Sequence, residues 1–194
     1  MFRALGYVTF GWFLLAVGGS LGHIAGVTAV LPATSVPVVL HLAFTPGRAR
    51  PSLPYGLTVA VVLGYLADLH QGGPPGVSAL AHGCCYLGAH FLARRLVLVS
   101  WRARLGATLL YGLALDLVTF VILAVTSGPL GLSLAALVSG LSLVPWRAVL
   151  TALLAQPIWS VLDAAASRLG RAAADARRWQ PSGIEVERSA FDVE

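Results

Sequence analysis

The sequence predicts an all-α fold, a polytopic membrane bundle of about six transmembrane helices. Three observations predict it. Of the 194 residues, 57% are hydrophobic and only 11% charged, and the mean hydropathy is +0.81, outside the range of soluble domains. The apolar residues gather into runs close to the ~20 residues that cross a hydrocarbon core as a helix. The basic residues fall between those runs, and mostly between alternate ones. The net charge of +5 therefore reads as topology, not as a nucleic-acid surface.

Leu5 to Ser20 is a short first span, read as an uncleaved helix and not as a signal peptide, because the remainder of the chain is equally apolar. Ile24 to Phe44 is the second, and its Pro32 and Pro37 imply a kinked or partly re-entrant segment. Arg48 and Arg50 come next, in a proline-bounded loop. Leu53 to Leu69 is the third span and Val77 to Leu92 the fourth, with the glycine- and proline-rich Gly72 to Gly76 between them. Arg94, Arg95, Arg102 and Arg104 form the next basic loop, and Leu105 to Val125 is the fifth span, carrying the single charge Asp116. Ser127 to Gly131 reads as a turn. Leu132 to Leu143 is apolar but short, either re-entrant or interfacial, and Val149 to Leu162 is the last span.

With the N-terminus inside, six spans place Arg3, Arg48, Arg50, Arg94, Arg95, Arg102, Arg104 and the later arginines on one face, the pattern of a cytoplasmic side; Arg147 is the exception. Residues 1–164 form the bundle. Residues 165–194 form a cytoplasmic segment: an Ala/Arg-rich stretch to Trp179 suited to the membrane surface, as a docking segment or a topology-setting helix, then a disordered acidic end. Gly73 to Ser78 resembles Gly128 to Ser133, a faint sign of repeated hairpins, though six residues of common turn type also coincide by chance.

The residues that invite chemistry are few. Asp68 lies at the outer end of span three, either solvated at the interface or kept there for a use, since an ionisable group in or near the membrane costs several kcal/mol unless paired or solvated. Asp116 lies mid-span, where it must face the bundle interior. His82, His90 and Tyr111 are candidate partners for it, in proton coupling, ligand binding or a structural hydrogen bond. Ser78, His82 and Asp68 are close in sequence, but no G-x-S-x-G elbow surrounds the serine. No metal-ligand spacing, phosphate loop or dinucleotide fingerprint occurs, so no cofactor or catalytic centre is expected. Cys84 and Cys85 read as small apolar fillers.

The pattern Asp68-x3-Gly72-x-Pro74-x-Gly76-x2-Ala79-Leu80, preceded by Gly64, resembles the signature of the MreD family of rod shape-determining membrane proteins. Arg94 and Arg95 match the arginine pair that comes after the next helix in that family. The motif covers about 17 residues, while hydropathy and topology are similar over most of the first 165. The resemblance implies a fold similar to the substrate-binding subunits of energy-coupling-factor transporters. It also implies a non-enzymatic inner-membrane subunit of the cell-elongation machinery, with an MreC-like single-span protein, MreB, peptidoglycan synthases and membrane lipids as partners. Asp68, Gly72, Pro74 and Gly76 would then shape a partner surface. The long connection before the last span and the Arg-rich, acid-ended tail depart from the family pattern. The alternative is a transport subunit that binds a small vitamin-like ligand near the outer face.

Overall fold

The computed structural model describes residues 2–25, 31–45, 51–96, 98, 100–130 and 140–178. They form six helices: α1 (Phe2–Ala25), α2 (Ser35–Phe44), α3 (Leu53–Gln71), α4 (Val77–Leu92), α5 (Trp101–Leu130) and α6 (Val144–Arg178). Arg48, Arg50, most of the Leu132 to Leu143 segment and the acidic end lie outside the described residues. The chain divides into two units, residues 1–159 and 160–194, the second comprising, among described residues, the C-terminal part of α6.

Among the described residues, three helices are long and apolar enough to cross a membrane: α3, α5 over Trp101–Thr126, and α6 over Val144–Arg168. Apolar stretches of α1, α2 and α4 are shorter. Large apolar side chains are left exposed along the helices, among them Trp12, Phe13, Val61, Tyr65, Leu110, Leu117, Val121 and Leu153. A soluble protein does not leave such a belt in water; this is the surface of a helical membrane protein.

The expected second span is different in kind. α2 has only 10 residues, about 15 Å at 1.5 Å per residue, half the hydrocarbon thickness. Pro37 does not kink it. It occupies the first turn, where backbone N–H groups have no intrahelical acceptor, so its missing donor costs nothing. Residues Ser35 to Ala43 are all buried, and α2 packs against α1, α3, α4 and α5. A short helix flanked by non-helical backbone is tolerated at membrane depth when protein, not lipid, surrounds it, and the burial of α2 satisfies that condition.

One further expectation is corrected. Ser127 to Leu130 is the last turn of α5, not a loop; the rest of the segment likened to Gly73 to Ser78, Gly131 to Ser133, lies outside the described residues. The Ala/Arg-rich stretch is helical and continuous with the last span. α6 runs unbroken from Val144 to Arg178 through Pro157, because alanine and arginine are strong helix formers and nothing at Asp163 to Ala165 interrupts the hydrogen-bond ladder.

The tightest packing joins α3 to α4, and glycines permit it. A Cβ on Gly56 would collide with the fully buried Tyr86, and one on Gly64 would stand 2.7 Å from the Ala79 Cα. Small residues at helix contacts let backbones approach, which is how helices associate where lipid removes the hydrophobic incentive.

Candidate functional site

α3 ends at Gly72, whose φ of 68° is left-handed and whose N–H returns to the Asp68 carbonyl. α4 begins at Gly76, φ 93°. Both conformations disfavour any residue with a Cβ. Gly76 has no side chain with which to cap α4, and the acceptor comes from the preceding helix. The Asp68 carboxylate receives the N–H of Gly76 at 2.8 Å, of Ser78 at 3.0 and 3.1 Å, and of Ala79 at 3.4 Å. Three donors and the positive end of the α4 dipole converge on one anion. Asp68 is therefore 4% exposed, not a solvated helix-end acid. Gly64 sits one turn before it on the same face, and its bare backbone lets the α4 N-terminus come within reach.

The network continues inward. The Ser78 carbonyl accepts from His82 Nδ1 at 2.8 Å, and His82 Nε2 lies 2.9 Å from Ser35 Oγ. A carbonyl only accepts, so Nδ1 carries the proton and, in the neutral ring, Nε2 accepts from the Ser35 hydroxyl. His82 and Ser35 are both buried, so the pair clamps α4 to the start of α2. Close by, Thr151 Oγ1 of α6 accepts the Ala33 N–H at 2.9 Å.

Asp116 does not pair with His82, His90 or Tyr111. Its carboxylate lies 3.7 Å from Arg147 on α6, and Arg147 also donates to Gln71 Oε1 at 3.4 Å. His82 already spends both ring nitrogens, and His90 is two turns further along α4, packed against the Tyr86 ring. The Tyr111 hydroxyl is buried without a hydrogen-bond partner among the described residues. Arg147 is legible in the sequence as the one arginine on the wrong face. A cation that breaks the arginine pattern and an unexplained acid mid-span are two halves of one observation.

A cavity of about 40 Å³ lies where these groups meet, lined by Ser35, Gln71, Ser78, His82, Asp116 and Arg147 among others. Such a space holds water-sized occupants. Asp68, His82 and Asp116 do come to one region, yet each is committed to a structural partner, so the arrangement reads as a polar lock joining α2, α3, α4, α5 and α6. Arg94, Arg95, Arg102 and Arg104 lie at the opposite end of α4 and α5. Among the described residues no three His, Cys, Asp or Glu side chains stand close enough to share a metal ion.

The Asp116–Arg147 pair is not fully enclosed by protein, with side-chain exposures of 10% and 27%, so its removal is expected to fall below the ~3–5 kcal/mol of a fully buried pair. Asp116→Asn and Arg147→Gln are each expected to cost about 1–3 kcal/mol, and the double variant less than their sum. Unfolding titrations of the four proteins in detergent measure the coupling; strict additivity would show that the two groups do not interact.

Fold and site together define the class: a helical membrane protein whose helices are locked by a polar cluster beneath a glycine–proline turn. Comparison with protein-family models, with curated proteins and with solved structures returned no match.

Proposed function

We propose that this chain is an MreD-like, non-enzymatic subunit of the cell-elongation machinery of a bacterial inner membrane. In this reading it is a six-helix bundle with cytoplasmic termini, holding an MreC-like single-span protein and linking the cytoskeleton to peptidoglycan synthesis. The observation that carries the reading is that the residues of the resemblance form one structural unit. Gly64 admits the α4 N-terminus, Asp68 caps it, Gly72 ends α3 and Gly76 starts α4. Pro74 and Pro75 stiffen the crossing between the glycines. A motif spent on building one rigid turn suits a protein whose product is a shape presented to a partner.

The polar cavity at the same end favours a second reading, a substrate-binding transport subunit. Its volume of about 40 Å³ is far below the ~300–1,000 Å³ of pockets that hold drug-sized ligands, which supports the scaffold over the transporter.

Affinity purification of the tagged protein from native membranes in mild detergent tests this. A single-span coiled-coil protein together with cell-wall synthases is the expected recovery. Paired ATPases with a coupling subunit would transfer the assignment to transport, and recovery of neither set would overturn the scaffold reading.

A further inference from the structure

The described residues of the α4–α5 connection, 93–96, 98 and 100, lie at the end of α4 and α5 opposite the Gly72 to Gly76 turn. No acid occurs in the sequence between Asp68 and Asp116, so this end has no counter-charge from either of its two helices. Its four arginines divide into two groups. Arg104 is spent on the fold: its Nε donates to the Leu98 carbonyl at 3.4 Å, and its guanidinium lies 4.9 Å from the centre of the Trp159 ring. Arg94, Arg95 and Arg102 are exposed, and among the described residues none has a side-chain ion-pair or hydrogen-bond partner.

Two of these three are braced. The Arg94 guanidinium stands 5.3 Å from the centre of the Phe91 ring and that of Arg102 stands 5.6 Å from Trp101. Stacking on a ring face holds the guanidinium plane and leaves its N–H edge available for an anion, the fork geometry that suits phosphate oxygens. Beside the arginines the surface is apolar: Phe91, Leu92, Leu96 and Trp101 are each about half exposed. Aromatic rings flanked by arginines at the end of a span mark the depth of lipid headgroups.

We propose that this connection is a binding site for an anionic phospholipid, with the phosphate on Arg94, Arg95 and Arg102 and the acyl chains along Phe91, Leu92 and Trp101. The apolar component selects lipid over a free phosphate or an acidic peptide, neither of which would cover half-exposed Phe91 and Leu92. The absence of any acid between Asp68 and Asp116 selects an anionic headgroup over a zwitterionic one, whose ammonium would find no counter-charge on α4, α5 or their connection.

Native mass spectrometry of the full chain in neutral detergent tests the site, using phosphatidylglycerol and phosphatidylcholine at equal concentration. Phosphatidylglycerol is expected to be retained at least about tenfold better. Each Arg→Gln change at 94, 95 or 102 should weaken it on the order of fivefold, and the triple variant on the order of a hundredfold. Leu92→Ala, which removes apolar surface but braces no arginine, should weaken retention of both lipids while leaving the preference for the anionic one. If the triple variant does not fold, Arg95→Gln alone, whose side chain braces nothing, carries the test. Equal retention of the two lipids, or undiminished selectivity in the variants, would overturn the site. Displacement by glycerol 3-phosphate or by polyglutamate as effective as by lipid would overturn the lipid as its occupant.

Discussion

Gly64→Ala is expected to destabilise the protein by about 2–3 kcal/mol, the upper range for overpacking a tight contact. A Cβ at this position meets the Ser78 carbonyl and stands 2.7 Å from the Ala79 Cα. Those are backbone atoms, so no rotamer change relieves the contact and α4 must move away from α3. Moving α4 also withdraws its N–H groups from Asp68, so the substitution acts twice. Chemical unfolding in detergent reads the loss. Gly88→Ala, at a helical position with nothing within 4 Å, is the control and should be neutral or stabilising by up to about 1 kcal/mol, the ordinary advantage of alanine in a helix. In an Asp68→Ala background the cost of Gly64→Ala should shrink, because part of the contact it destroys is already absent. Equal costs in both backgrounds would show that Gly64 does not serve the cap.

Asp68→Ala is expected to cost about 3 kcal/mol, since it strands the N–H groups of Gly76, Ser78 and Ala79 and removes the anion at the α4 N-terminus. Asp68→Asn keeps one acceptor oxygen but turns an amide toward the remaining donors, and should cost about 1–2 kcal/mol. If the turn is the surface a partner recognises, Asp68→Asn should also reduce co-purification of that partner several-fold, while Asp175→Asn leaves it unchanged. The loss would come through the shape of the turn, because the carboxylate itself faces inward and is 4% exposed. Retention of the partner by both variants to the same extent would remove the turn from the interface.

Legibility in the sequence depends on the range of each interaction. α4 is legible to the residue, Val77 to Leu92, because a glycine–proline break stands before it and an arginine pair after it. Asp68 is legible as an acid beside a rigid break, but its role is not, since the cap spans eight residues and needs two helices already antiparallel. α2 is legible as proline-disturbed apolar chain. That it is a 10-residue helix buried from Ser35 to Ala43 depends on the helices around it. The Ser35–His82 bond joins residues 47 apart and leaves no trace in local pattern. Asp116 is legible as a buried acid in need of a partner, and Arg147 as a topological misfit, yet no spacing rule links position 116 to 147.

Composition, run length and the placement of arginines are local quantities, and by themselves they determined that this is a helical membrane protein with a glycine–proline turn between α3 and α4. Which charges neutralise each other was decided only by the tertiary structure, as were the helix buried by its neighbours and the arginines left to face outward. The physical reason is that helix formation and membrane partition act over one or two turns of chain. Pairing of polar groups in a low-dielectric interior depends on distances of about 3 to 4 Å between residues that the chain alone does not bring together.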